Sequence, residues 1–387
     1  LVASASYISF VVMALPASYI INKIGYRKGM SLGLIIMAIG ALLFIPAANA
    51  RTYWMFLTAI FIQGAGMTLL QTASNPYITI LGPIESAAKR IAIMGIANKV
   101  AGALGSVIFG AILLSGIDEI KEKLNVVSDT EKASLLDAMA DSVVTPYIAM
   151  AAVLFLGLLI RKAPLPHVEA QSIDVSEAGE KTKSSIFQFP HLWLGVLALF
   201  VYVGVEVVAG DTIISYGISL NMPVEQAKFF TLLTLMAMVA TYALGVFLIP
   251  KYITQAFALR VSAVLGIILS FCIVFTTGFT SVLFVASLGI ANALVWPAIW
   301  PLALTGLGKF TKTASALLIM AISGGAIIPP LYGALVDSQK EQLLASGVSE
   351  IAATAEAASF GYWILLPCYI IIFYYAFYGH KVGLKKK

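Results

Sequence analysis

Charge is what this chain has least of. Only 11% of its 387 residues are Asp, Glu, Lys or Arg, while 60% are hydrophobic. Soluble domains carry about 25% charged residues, so the shortage excludes an ordinary water-soluble globule. Cysteine and histidine are scarce as well. Cys272 and Cys368 both lie in apolar runs and offer neither a disulfide framework nor a metal-ligand spacing. His167, His191 and His380 sit in polar linkers or at helix ends and form no catalytic cluster. With no nucleophile–base set, metal cluster or phosphate loop, neither an enzyme nor a bound cofactor or metal is expected. There is no initiator Met and no cleavable leader, since Leu1 already lies within an apolar run. We therefore expect a fragment that starts after a missing first helix.

What is present is a series of long apolar runs. Crossing about 30 Å of hydrocarbon takes roughly 20 residues of helix. Runs of that order fall near 1–21, 29–48, 53–80, 91–115, 144–160, 191–216, 227–249, 259–278, 281–304, 314–336 and 359–379, eleven in all. The net charge of +5 is not a nucleic-acid footprint, because the basic residues follow the loops. One alternate set of loops (22–28, 82–90, 161–190, 250–260, 305–313 and 380–387) holds 17 Lys and Arg, the opposite set 6. The rule that cytoplasmic loops are the positive ones places the first set, with the C-terminal lysines, inside. One added span would give twelve, with both termini cytoplasmic.

Residues 161–190 are polar, without apolar period, and read as a solvated linker. They divide an N-terminal bundle, 1–160, holding five of six helices, from a C-terminal bundle of six helices with a basic tail, 191–387. Residues 116–143 have helical spacing and read as a small external helix. An internal echo supports two repeats. Ile93-Met94-Gly95-Ile96 recurs as Ile319-Met320-Ala321-Ile322, and Gly102-Ala103 and Gly110-Ala111 recur as Gly325-Ala326 and Gly333-Ala334 at an offset of 223. At the fifth and eleventh helices of a six-plus-six count, this fits parallel repeats with a site between them at the midplane.

Polar groups inside the runs are the candidates for function, since each is costly against lipid unless it faces protein or water. The stretch Gln71 to Arg90, QTASNPYITILGPIESAAKR, places Gln71 and Asn75 at i, i+4, and Asn98 lies within the next run. Amides suit a polyhydroxylated neutral ligand, because each offers donors and an acceptor; they serve interhelical hydrogen bonding equally well. Asn292, Trp296 and Trp300 form an i, i+4, i+8 stripe, an amide beside two indoles, which fits either a sugar platform or plain packing. Pro297 and Pro301 interrupt the backbone ladder there.

Three ionisable residues lie within spans, Lys99, Glu206 and Asp211. Glu206 and Asp211 are about 140° apart around a helix. Glu206 can share a face with Tyr202. A carboxylate in such a place can take up H⁺, coordinate Na⁺, or pair with Lys99 as structural glue.

Two motifs resemble a known family. The loop NKIGYRKG, with Gly25, Arg27 and Lys28, resembles the cytoplasmic gating motif of the major facilitator superfamily. QTASNPYITILGP followed by AAKRIAIMGIANKVAG resembles the fucose–proton symporter family within it, most closely the glucose/galactose permease branch. The matching positions are Gln71, Ala73, Asn75, Pro76, Tyr77, Leu81-Gly82-Pro83, Arg90 and Asn98. Trp296-Pro297 with Trp300, and Gly324-Gly325 to Pro329, also fit.

The resemblance implies an all-α membrane protein of two pseudo-symmetric six-helix bundles in the bacterial inner membrane, embedded in lipid, binding a small-molecule sugar but no nucleic acid, and monomeric. It implies import of a hexose or deoxyhexose by alternating access, coupled to H⁺ or Na⁺. Gln71, Asn75, Asn98, Asn292, Trp296 and Trp300 would bind sugar; Lys99, Glu206 and Asp211 would carry coupling or gating charge. One departure matters: the fucose branch has a carboxylate used in proton coupling where this chain has Gln71, which cannot titrate. Other readings are an exporter of drugs or amphiphiles and a transporter-like sugar sensor. Four amides suit the first poorly, and the short loops leave no room for the folded signalling domain of the second.

Overall fold

The structure, a computed structural model, describes residues 2–50, 52–113, 144–162, 166 and 184–384. The external stretch 116–143, most of the linker 161–190 and Lys385 to Lys387 lie outside the described residues.

Every regular element described is helical. In hydrocarbon the backbone must satisfy its own hydrogen bonds, and an apolar run does so as a helix. The long helices are α1 Val2–Ala50, α2 Tyr53–Ile80, α3 Ala87–Leu113, α4 Val144–Lys162, α5 Pro190–Asp211, α6 Val224–Leu248, α7 Gln255–Phe275, α8 Gly278–Leu304, α9 Gly308–Ala345 and α10 Glu350–Lys381. Among the described residues, nine helices are long and apolar enough to cross a membrane, and α3 adds 27 residues over the fourth apolar run. α1 is two spans in one, broken at Gly25 with φ 80 and ψ 166, a backbone region that essentially only glycine adopts. Nothing crowds that α-carbon, so backbone conformation and not space requires the glycine of the basic loop. With α1 counted as two, the helices follow the eleven runs.

The chain divides into two compact units. Leu1–Ser74 with Val100–Pro166 forms the first, and Asn75–Lys99 with His167–Lys387 forms the second. The boundary falls inside α2 and inside α3, so the α2–α3 turn belongs to the second unit.

In the first unit, the later arm of α1 meets α2 at glycines. A Cβ on Gly33 would sit 2.8 Å from the Gly66 carbonyl, and one on Gly40 would sit 2.7 Å from the Gln63 nitrogen. Small residues let two backbones approach this closely, which is how helices gain contact where lipid supplies no hydrophobic drive. α4 joins them through Ala151, packed with Ala38 and Ala41, and through Tyr147, stacked on Phe44 at 4.4 Å.

In the second unit, α5 packs against α8, α9 and α10. Gly204 and Gly324 permit its crossing with α9: a Cβ on Gly324 would run into the Phe200 carbonyl, and one on Gly204 into Ile328. Gly289 does the same for α8 against α6 at the Thr234 carbonyl.

The α2–α3 turn is held by Arg90. Its Nε donates to the Ile78 carbonyl at 2.9 Å and Nη2 to those of Thr79 at 2.7 Å and Gly82 at 3.2 Å; Nη1 donates to the Pro83 carbonyl at 3.1 Å and to Ser86 Oγ at 2.6 Å. The last carbonyls of a helix have no partner within it, and a cation there also meets the negative end of the helix dipole. The basic residue that opens α3 thus caps α2. Beyond it, Ala88, Ala92 and Ile96 form a stripe that packs with Met238, Tyr242, Ala293 and Leu294.

Arg90→Ala is expected to cost about 2 kcal/mol, seen as a lower midpoint of thermal unfolding in detergent. Arg90→Lys should recover only part of it, because an ammonium cannot reproduce the planar fork.

Candidate functional site

The site starts from a missing side chain. A Cβ on Gly95 would lie 2.8 Å from Cζ of Tyr242, so α3 seats against that ring on α6 because residue 95 is glycine. One turn later, Lys99 Nζ reaches Glu206 Oε1 on α5 at 2.5 Å. The two side chains are 21% and 22% exposed, largely out of solvent but not sealed. Taking two charges from water is costly and is offset only when they meet each other with good geometry.

Aromatic and amide groups surround the pair. Tyr202, one turn earlier on α5, and Tyr242 and Tyr369 from other helices lie within electrostatic reach of Glu206. Tyr369 on α10 donates to Asn292 Oδ1 at 2.8 Å. Trp296 lies 6.5 Å from Tyr202 between ring centroids and 5.7 Å from Trp300. Lys99, Glu206, Asn292, Trp296 and Trp300, read from the sequence as separate signals, therefore form one connected neighbourhood within the second unit.

Their exposure differs. Trp296 is half-buried, whereas Trp300 is fully buried and offers no face for stacking in this state. Asn292 is also buried, and Tyr369 occupies its oxygen, which leaves the amide N–H groups. Asn98, beside Lys99, is exposed. Asn75 is buried and its backbone carbonyl accepts from Thr79 Oγ1 at 2.8 Å. Asp211 is exposed at the end of α5, within electrostatic reach of Lys99 and Glu206. Gln71 is half-buried and belongs to the first unit. In the basic loop, Gly25 makes the break in α1, Arg27 is half-buried and Lys28 exposed.

Sequence reasoning missed Gly95, Tyr242 and Tyr369. The phenols are ordinary aromatics in apolar runs, and nothing local separates them from packing residues. Gly95 carried a weak signal, one helical turn before a lysine inside a span.

Comparison with known proteins shows the family. Residues 1–330 match the Major Facilitator Superfamily. The chain is similar to a glucose/galactose transporter of Brucella abortus biovar 1 (strain 9-941), at 36% identity over 337 residues, covering 85% of this chain and 77% of that protein. It is similar also to an L-fucose-proton symporter of Escherichia coli (strain K12), at 29% identity over 346 residues, covering 87% and 78%. Among solved structures, that of FucP, a major facilitator transporter in the outward conformation, superposes with a TM-score of 0.80 at 25% identity, covering 98% of this chain and 89% of that one. The relatives are those that the α2–α3 motif pointed to: the chain belongs to the Major Facilitator Superfamily.

Proposed function

We propose that this protein is a secondary active transporter that imports a hexose or deoxyhexose across the bacterial inner membrane by alternating access, with its C-terminus in the cytoplasm, acting as a monomer. The carrying observation is the half-buried indole of Trp296 in ring contact with Tyr202, one helical turn from a Lys99–Glu206 ion pair inside apolar helices. A sugar needs an aromatic face for its C–H surface and amides for its hydroxyls. Trp296 supplies the face with Trp300 packed behind it, and the exposed Asn98 and the amide N–H groups of Asn292 supply hydrogen bonds. Asn75 adds a further amide from the same unit. The curated relatives, a glucose/galactose transporter and an L-fucose-proton symporter, support a sugar as the substrate.

Coupling to a cation, H⁺ being favoured by the second of those relatives, is assigned to Glu206. Gln71 cannot carry it, since an amide neither gains nor loses a proton near neutral pH. Asp211, exposed at the end of its helix, stands second.

Uptake of radiolabelled glucose, galactose, fucose and N-acetylglucosamine into proteoliposomes tests the assignment, and saturable uptake of at least one is expected. No saturable uptake of any of the four would sink it. Trp296→Ala should weaken sugar affinity about tenfold, which is about 1.4 kcal/mol and close to the worth of one aromatic contact. Equilibrium counterflow titrations measure this. Glu206→Gln should abolish gradient-driven accumulation while sparing counterflow; accumulation that survives would make Glu206 structural.

A further inference from the structure

Two arginines of the second unit cap helix ends, and their donors are used to different extents. Every nitrogen of the Arg90 guanidinium donates a hydrogen bond. Arg260, the sixth residue of α7, donates only from Nε, to the Ala376 carbonyl at 3.2 Å. That carbonyl lies in the last regular turn of α10, where helix carbonyls lack partners. Among the described residues, Nη1 and Nη2 of Arg260 have no acceptor and its charge has no ion-pair partner. The sequence supplies no nearby acid either, since no Asp or Glu occurs from Gln226 to Val336 or from Ala357 to Lys387.

The surroundings are basic at one end and apolar along the rest. Arg260 Cζ lies 5.3 Å from the ring centroid of Phe377, which stacks on Phe373 at 4.3 Å. His380 is within electrostatic reach of Arg260 and of the exposed Lys381. In the turn before α7, Lys251 sits over the exposed Tyr252 ring at 4.9 Å. Further along, Phe257, Val261 and Ile268 of α7 and Ile370, Tyr374 and Tyr378 of α10 are exposed, one apolar stripe on each helix. The helices close on each other at Gly266, where a Cβ would run into the Tyr369 ring. Water can hydrate the Nη groups, but it supplies neither a countercharge nor a cover for the apolar stripes.

We infer that the α7–α10 seam binds an anionic membrane glycerophospholipid, its phosphodiester on the two Nη groups of Arg260 and its acyl chains along the apolar stripes. A guanidinium presents a fork that matches two phosphate oxygens, and basic positions between spans suit anionic headgroups. The charge at this end of the seam has one sign, which favours an anionic headgroup over a zwitterionic one. The inference rests on the chain's place in a membrane and is independent of what it transports.

The experiment uses the purified protein in a neutral maltoside detergent. Phosphatidylglycerol and phosphatidylcholine are titrated against wild type, Arg260→Gln and Arg260→Lys, and bound lipid is counted by native mass spectrometry. Wild type should hold one phosphatidylglycerol at least about fivefold more tightly than phosphatidylcholine, the worth of one interfacial cation. Arg260→Gln should lose that preference, and Arg260→Lys should keep part of it. No preference in wild type, or an unchanged one in Arg260→Gln, overturns the inference. So does inorganic phosphate that displaces the lipid at equal concentration, since the site would then be one for a free anion. Should Arg260→Gln fail to fold, wild type decides alone. Phosphatidylglycerol carrying a diazirine beside its headgroup should label residues 252–261 and 373–381 above the other helix ends, and labelling spread evenly over those ends overturns the assignment.

Discussion

A hydrocarbon environment penalises an unpaired polar group, and several of the described features follow from how such groups are answered. The backbone answers with helices. The carbonyls at the end of α2, freed by the turn and unable to reach water on all sides, are answered by the Arg90 guanidinium. Charges within spans are answered by each other, Lys99 by Glu206. The glycine crossings belong to the same account. Lipid offers no hydrophobic drive between helices, so close backbone approach at Gly33 with Gly66 and at Gly204 with Gly324 supplies the packing that a water-soluble bundle would draw from burial.

The α2–α3 segment shows how these answers depend on one another. Arg90 sets the turn, the alanine and isoleucine stripe seats α3 on its neighbours, and Gly95 brings the helix onto the face of Tyr242. Only with all three in place does Lys99 arrive beside Glu206. A buried ion pair adds little net stability over an apolar pair of the same shape, whereas removing one partner typically costs about 3–5 kcal/mol. The pair is therefore better understood as an element that must be compensated whenever it changes than as a brace.

Most of the architecture could be read from residue patterns. Run length marked the spans, and the glycine in NKIGYRKG marked a break that Gly25 makes with a glycine-only backbone. The motif from Gln71 to Asn98 pointed to the family. The site was legible one residue at a time but not as a set. Periodicity placed Asn292, Trp296 and Trp300 on one stripe, yet it could not say that Trp300 is enclosed or that Tyr369 occupies the Asn292 oxygen, because both depend on helices far apart in sequence. Nor could it pair Lys99 with Glu206 over Asp211. That choice turns on where α3 sits, which the absent Cβ of Gly95 decides. The division of the chain inside α2 and α3 was also out of reach, since both are unbroken apolar runs.

The substitution of an amide at Gln71 and the lysine beside Asn98 make sense together. A site for a neutral polyol gains from amides, which donate and accept without a field of their own, and loses from a lone charge that would favour ionic ligands over the sugar. Lys99 by itself would be such a charge, and so would Glu206. Held together, they present a dipole instead of a net charge to their surroundings. With Gln71 unable to titrate, the coupling we propose rests on Glu206 of α5, beside the groups proposed to recognise the neutral ligand.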